Sequence, residues 1–494
     1  MRETRWLRRA LLAGTAIITT TGAAGADELT ALKAQLEALQ ARVNQIEAQP
    51  AAPAMPEGAS WVTFTRGTEA TAGWNTSRVG DAIPTDRGFT IAITPTADLP
   101  APVHEVTVSG YVKGDVIYDF DQDLGNAFNY SIIDDTNQPQ DHIRLHAQQS
   151  RFRIKSRSDT SIGQIRTLIE GDFFGGEKGG EFRVRHAWGE WDITPNLTFG
   201  VGQYWRNFMS LITGIPTVDF NGPVGLIGTS RNAQVRLTYH SGPMEVAVSI
   251  EDPTGDGDSG DLRRQPDSVG PLTHTKDNAS DNLPDLNARM QYDLPGGHQI
   301  LTSGMLRNFH TDSDLGGKVG NDNALGWAVQ GAANINLGDI AVLSTSVMYG
   351  DGIGNYLFGA AYTDTSGDAS GIGAYVHNTG HIATIAGLGV FAGLTFNVTE
   401  ATSLNVGWGW TKLDKGDISD AMSGVSTGSL NSEIMSVHGN VMWQPVREMR
   451  LGWEVIWAQR KYLQGNLDTN TNTAYYTKES ADAVRAQFGA WFFF

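Results

Sequence analysis

Ser436, His438 and Asn440 occupy alternate positions in SVHGN. Ser, His and Asn together can hydrolyse esters when nucleophile and base meet. A period of two is the strand period, so the three share one face and Met435, Val437, Val441 and Trp443 take the other. Side chains two apart on a strand lie about 7 Å from each other, too far for a nucleophile and its base. In DPTGDGDSGD, residues 252–261, Asp256 and Asp258 have the spacing of calcium ligands, but Gly260 and Asp261 break the loop pattern that would complete the site. The stretch reads as a solvated acidic loop, with a bound divalent ion as the alternative. The chain has no Cys, so thiolate metal sites and disulfides are excluded. The expectation is no catalytic residue, no metal and no cofactor.

A different chemistry is written in SRFRIKSR, where Arg151, Arg153, Lys155 and Arg157 alternate with Phe152, Ile154 and Ser156. An extended chain sends the four cations to one face and the apolar residues to the other. Such a row repels itself unless water solvates it, while the opposite face needs an apolar medium. The pattern recurs. Arg166 alternates with Ile165 and Thr167, Arg183 and Arg185 flank Val184, and Arg236 lies between Val235 and Leu237. Arg289 opposes Ala288 and Met290, Arg307 follows Leu306, Arg450 precedes Leu451, and Arg485 lies between Val484 and Ala486. Acids join these faces at Asp115, Glu170, Asp172 and Glu454, but cations are in excess.

The elements that carry these faces follow an export signal. Arg2, Arg5, Arg8 and Arg9 precede the apolar run Ala10–Ile18, and Ala24-Gly25-Ala26 supplies a cleavage site, so residues 1–26 read as a signal peptide. The run is too short for a spanning helix. Without it the 36 basic residues lose four and the 54 acidic residues lose one, leaving a formal charge of −21, which argues against a nucleic-acid partner. In residues 27–49, Leu29, Leu32, Leu36, Leu39, Val43 and Ile46 repeat at spacings of three and four, a heptad seam. Its flanking pairs Glu28 with Lys33 and Arg42 with Glu47 suit a parallel self-associating coil, although the seam does not select the strand number. Residues 50–104, rich in Pro, Ala, Thr and Gly, read as a linker with short extended pieces.

Residues 105–494 contain about sixteen alternating segments. Tight connections such as HSGP and LPGG mostly alternate with long ones, including 120–141, 207–230, 252–284, 350–380, 412–430 and 464–481. An antiparallel transmembrane barrel of about sixteen strands, with short periplasmic turns and long external loops, accounts for that asymmetry. An even strand count returns both barrel ends to the periplasm, where a coil at residues 27–49 would sit. DAVRAQFGAWFFF ends on Phe494 with Val484, Ala486, Phe488, Ala490 and Phe492 on the same face, a closing strand in lipid. The Arg and Lys faces then line a watery lumen. The connection 209–230 is unusual: it is apolar, with Asp219 its single acid, and reads as the third external loop folded inward as a constriction loop, Asp219 opposing the basic wall, with a subunit-contact loop as the alternative.

GYVKGDVIYD from Gly110, SRFRIKSR, FRVRHAWGEW from Phe182, GQYWRNF from Gly202, YGDGIGNY from Tyr349, SVHGNVMWQP and LGWEVIWAQR together resemble the DcaP-like trimeric porins of Gram-negative outer membranes. The resemblance implies a sixteen-stranded barrel, a homotrimer, a periplasmic coiled coil, and passage of small anionic solutes such as dicarboxylates. The family tends to carry Arg after GIG, where this chain has Asn355. The expected function is an anion-preferring porin among outer-membrane lipids and lipopolysaccharide. The alternatives are an outer-membrane lipid hydrolase and a structural anchor for a periplasmic coil.

Overall fold

The computed structural model describes residues 60–67, 74, 77, 79, 83–84, 87–95 and 103–494, the last range without 135–139, 177–178, 229–230, 254–261, 267–268, 275–282, 312–321 and 379. The expected signal peptide, the expected coil of residues 27–49 and the acidic pair Asp256 and Asp258 lie outside the described residues.

Two short strands come first, β1 (Trp61–Arg66) and β2 (Phe89–Thr94). The wall then runs through β3 (His104–Asp119), β4 (His142–His146), β5 (Arg151–Thr160), β6 (Gly163–Gly175), β7 (Glu181–Thr194), β8 (Leu197–Trp205), β9 (Arg231–Ser241) and β10 (Met244–Glu251). Small strands β11 (Leu262–Arg264) and β12 (Thr273–His274) sit in a long connection before β13 (Asp285–Leu294), β14 (His298–Thr311), β15 (Asp322–Leu337) and β16 (Ala341–Asp351). Four more small strands, β17 (Ala361–Thr363), β18 (Ala369–Gly371), β19 (Ala374–Val376) and β20 (Ile382–Thr384), precede the last wall strands. These are β21 (Ala386–Thr399), β22 (Thr402–Leu413), β23 (Ser429–Val446), β24 (Met449–Asp468) and β25 (Thr473–Phe493).

β4 and β5 pair with successive halves of β3 and share one wall position, which makes sixteen. Every wall pairing is antiparallel, and β25 pairs with β3 from Arg485↔Asp119 to Phe493↔Tyr111, closing the barrel. Alternation explains the strands. Along β24, Trp453 and Val455 are exposed on the outer face, while Gly452, Glu454, Ile456, Ala458 and Arg460 are buried inside. Closure pairs each wall position on both sides, as lipid requires. At the end of the chain Phe494 and Gly110 exchange backbone hydrogen bonds of 3.1 and 3.3 Å. A Cβ on Gly110 would lie 2.3 Å from the Arg151 carbonyl, so the close approach there needs glycine.

Beyond the end of β25 the wall continues with β2, paired to β3 from Phe89↔Val108 to Ile93↔His104, and β1 pairs with β2. Within residues 50–104, expected as a linker with short extended pieces, β1 and β2 thus form a hairpin that extends the periplasmic rim. The external end differs from expectation in one place. Residues 464–481, read as a long loop, instead continue β24 and β25 as a hairpin turning at 469–472, with Asn472 at φ +50. Pairs such as Leu463↔Lys478 and Asn466↔Tyr475 keep the alternation after its residues turn polar, so composition suggested a loop where pairing made strands. The other long connections pack over the external mouth. Their largest apolar cluster includes Trp205, Phe208, Ile227, Leu272, Tyr356, Tyr362, Tyr375, Leu413, Ile418 and Leu430. Tyr375 donates to Asp420, and burial together with that carboxylate pushes its hydroxyl well above the usual tyrosine range.

Candidate pore and its inward-folded loop

The strand period resolves the SRFRIKSR pattern. Arg151, Arg153 and Lys155 are each 2% exposed and face inward, and Phe152 faces outward at 38%. Arg157 is partly exposed at the periplasmic end of the same face. The cations are not an open row. Glu170 on β6 lies 2.9 Å from Arg185 and 3.6 Å from Arg151, and Asp172 receives both Arg183, at 2.9 Å, and Arg185, at 3.2 Å. Arg157 pairs with Glu105 at 3.0 Å, and Arg166 with Glu190 at 3.0 Å and Asp192 at 2.8 Å. A register shift between Glu170 and Gly171 bulges β7. It turns two consecutive residues, Arg185 and His186, into the buried interior.

The remaining sequence-chosen residues also face the interior. Arg236 donates to the Trp205 carbonyl at 2.6 Å, Arg289 pairs with Glu245, and Arg307 lies 3.6 Å from Asp285. Arg450 donates to Gln444 at 3.2 Å near the periplasmic turn. Arg485 is fully buried on Asp119 at 2.7 and 2.9 Å.

Loop 3, described over residues 206–228, lies inside the barrel. Its apolar side chains Phe208, Met209, Ile212, Ile215, Val218, Val224, Leu226 and Ile227 are all buried. The strand interiors hold its backbone at many points. Val218 N and Asp219 N donate to one oxygen of Glu454 at 2.6 and 2.7 Å, and Lys113 donates to the Val218 carbonyl at 2.6 Å. Asp219 departs from expectation. Its hydrogen bonds run to Phe128 N, Asn221 N and Arg485, the last at 3.1 Å, so its charge is taken up on the β25 side and does not oppose the β5 cations.

The Ser-His-Asn triplet belongs to the same tether. Ser436 Oγ accepts from Val224 N at 3.1 Å, and Asn440 donates to the Pro216 carbonyl at 2.8 Å. His438 sits between Glu454, at 2.9 Å, and the Tyr130 hydroxyl, at 2.8 Å. These groups are committed to holding loop 3 rather than to a nucleophile–base pair. Among the described residues no cluster of His, Cys, Asp or Glu could hold a metal ion.

A second inward segment was not legible in the sequence. Between β1 and β2, the Trp74 carbonyl accepts from Lys155 at 3.2 Å and Val79 N donates to the Leu211 carbonyl of loop 3 at 3.3 Å. Ile83, 2% exposed, packs with Tyr111, Val218, Met442, Trp491 and Phe493. Arg87 closes the segment on Glu448 at 3.2 Å. The Trp74 ring lies 5.4 Å from the Lys155 ammonium and 5.5 Å from the Arg166 guanidinium, a cation–π distance. The only early hint was Trp74 itself, a large aromatic in a stretch otherwise composed like a linker. On the periplasmic side of loop 3, Pro216, Thr399, Ser403, Met442, Gln444 and Arg450 line a cavity of about 330 Å³.

A closed barrel with an apolar outer face, a charged interior and a loop folded into its lumen defines a passive channel of the outer membrane, a porin. Residues 106–486 match the model of the Porin subfamily, and the chain belongs to that family. Among solved structures it is similar to the outer membrane channel DcaP of Acinetobacter baumannii, with 22% identity over 79% of this chain and 97% of that one and a TM-score of 0.61. It is also similar in fold to an anion-selective porin from Comamonas acidovorans, with 12% identity over 79% of this chain and all of that one (100%) and a TM-score of 0.50. No curated protein matches the sequence.

Proposed function

We propose that this porin is a homotrimer that passes small anionic solutes, dicarboxylates among them, with preference set by the inward cations of β5–β7. The observation that carries the reading is the charge count on that wall. Across β5–β7 seven cations, Arg151, Arg153, Lys155, Arg157, Arg166, Arg183 and Arg185, stand against six carboxylates, Asp159, Glu170, Asp172, Glu181, Glu190 and Asp192. At the buried level four of the cations, Arg151, Arg153, Lys155 and Arg185, face only Glu170 and Asp172, so the surplus there is positive although the whole chain is acidic. In a confined lumen a surplus of one sign concentrates the opposite ion. Arg236, Arg289, Arg307, Arg450 and Arg485 extend the basic lining around the barrel. Loop 3 is the constriction element, and Asp219 positions it through Arg485 instead of supplying free charge. The wide relative known as an anion-selective porin supports the same preference. The coil of residues 27–49, after removal of residues 1–26, joins the subunits in the periplasm.

The test is the reversal potential of purified channels in a planar bilayer under a salt gradient. Anion preference is expected. Cation preference or no preference would overturn the reading.

A further inference from the structure

The chain contains ten lysines, and four of them, Lys412, Lys415, Lys461 and Lys478, line one concavity of about 320 Å³ at the external ends of β22–β25. Glu433, Glu479, Ser419, Ser432 and Ser480 complete the polar lining.

The position of the concavity relative to lipid follows from the strand register. On the outer face, Leu404, Val441, Trp453 and Phe488 stand side by side across β22, β23, β24 and β25, and Val406, Gly439, Val455 and Ala486 form the next row outward. Trp408, Val437, Trp457 and Val484 form the last fully apolar row. Trp410, Met435, Gln459 and Asp482 follow, and then Lys412, Glu433, Lys461 and Ser480. The lysine row therefore stands two rows, about 13 Å along the strands, beyond the last apolar row. Allowing for strand tilt, that is about 10 Å toward the exterior, where lipid headgroups lie rather than acyl chains. Lys412 and Lys461 point out of the barrel, away from the lumen.

The charges have not cancelled. Lys461 pairs with Glu433 at 3.1 Å, while Lys412, Lys415 and Lys478 form no ion pair among the described residues. The nearby acids Asp482 and Glu479 lie on the same edge, and the lining as a whole carries four cations against two carboxylates. Lysine is a mobile point charge with three donors, suited to a phosphate approached from several directions. We propose that this concavity is a binding site for the phosphorylated headgroup of an outer-leaflet glycolipid, with Lys412, Lys415, Lys461 and Lys478 as phosphate ligands and the Trp408 and Trp457 row against the first acyl segments.

The experiment compares the porin with a variant carrying Lys412→Gln, Lys415→Gln, Lys461→Gln and Lys478→Gln, and with its Lys→Arg counterpart. Native mass spectrometry in detergent measures retention of bisphosphorylated lipid A. Lysines near an anionic headgroup contribute about fivefold each, so the Gln variant should bind at least about tenfold more weakly. The Arg variant should keep most of the binding and so control for folding. Dephosphorylated lipid A should bind to neither form at this site. Equal lipid A retention by the Gln variant and the parent protein would overturn the proposal. So would lost anion selectivity with lipid binding intact, because the patch would then be a steering surface for solutes. Inorganic phosphate competing as well as lipid A would overturn the lipid as its ligand.

Discussion

Arg485 joins Asp119 on the first barrel strand to Asp219 on loop 3, with its guanidinium 2.7 Å from one carboxylate and 3.1 Å from the other. All three side chains are buried. The strand that closes the barrel is therefore also the strand that fixes the inward loop. Glu454, one strand away, accepts from the amides of Val218 and Asp219, so barrel closure and loop position are set by one contiguous patch of wall.

The first prediction follows from that patch. Glu454→Ala removes the acceptor of two buried amides, each of which costs about 1–3 kcal/mol when left unsatisfied. The wall keeps its pairing, so the barrel should still fold and show heat-modifiable migration. Loop 3 should sample other positions, seen as larger and noisier single-channel currents in a planar bilayer. Currents indistinguishable from the parent would show that Glu454 does not hold the loop.

Tyr130, Ser436, His438 and Asn440 give a second way to test the same tether without changing a wall charge. Ser436→Ala with Asn440→Ala removes partners of Val224 N and the Pro216 carbonyl. The expected result is a modest increase in current and no fatty acid release from phospholipid by either protein. Release by the parent that the double variant loses would restore the hydrolase reading.

How far the sequence reached depended on what each residue's neighbours were. Inward placement of Arg153 and Lys155 follows from the strand period alone, because Phe152 and Ile154 need lipid. Loop 3 was legible because eight apolar residues with one acid have no place in external water. The partner of Asp219 was not, since Arg485 is 266 residues away and the pairing exists only after closure. The segment from Trp74 to Arg87 was missed for a related reason. Its Pro, Gly and Thr content is that of a linker, and its burial comes from Val218, Met442 and Trp491, which only the closed barrel brings to Ile83. Residues 464–481 show the reverse error, with polar composition taken for a loop where pairing makes strands.

That inward segment gives the third prediction. Burying an Ile side chain is worth about 1.5–3 kcal/mol, so Ile83→Ser should weaken docking of the segment by one to two orders of magnitude. Combined with Trp74→Ala it should uncover Lys155 and Arg166, raising conductance and strengthening anion preference. Deletion is unnecessary, since the hairpin of β1 and β2 still anchors both ends. Conductance and selectivity equal to the parent would mean that the segment lies outside the ion path.

The coil makes a fourth. Its three or so heptads are marginal alone, whereas barrel walls present a far larger contact area. Removing residues 27–49 should leave inserted barrels that still associate in detergent, measured by native mass spectrometry. Monomers alone would make the coil the main determinant of assembly.

The last prediction returns to Arg153 and Lys155. Both are buried, Arg153 donating to Ser109 at 3.2 Å and Lys155 to the Trp74 carbonyl at 3.2 Å, so their replacement removes real contacts as well as charge. Gln at both positions retains a donor and much of the chain length, which limits the structural effect to about 1 kcal/mol per lost neutral-equivalent hydrogen bond. The surplus at the buried level of the wall, by contrast, falls from two charges to none. Reversal potential should therefore shift toward cations, and dicarboxylate uptake in liposome swelling should slow while neutral sugar uptake changes little. The difference should shrink as salt rises, because the Debye length falls from about 8 Å at physiological ionic strength to about 3 Å at 1 M and decouples neighbouring cations. Sugar uptake that falls in parallel with dicarboxylate uptake would point to a collapsed lumen instead of lost charge. Unchanged ion selectivity would remove both residues from the selecting part of the pore.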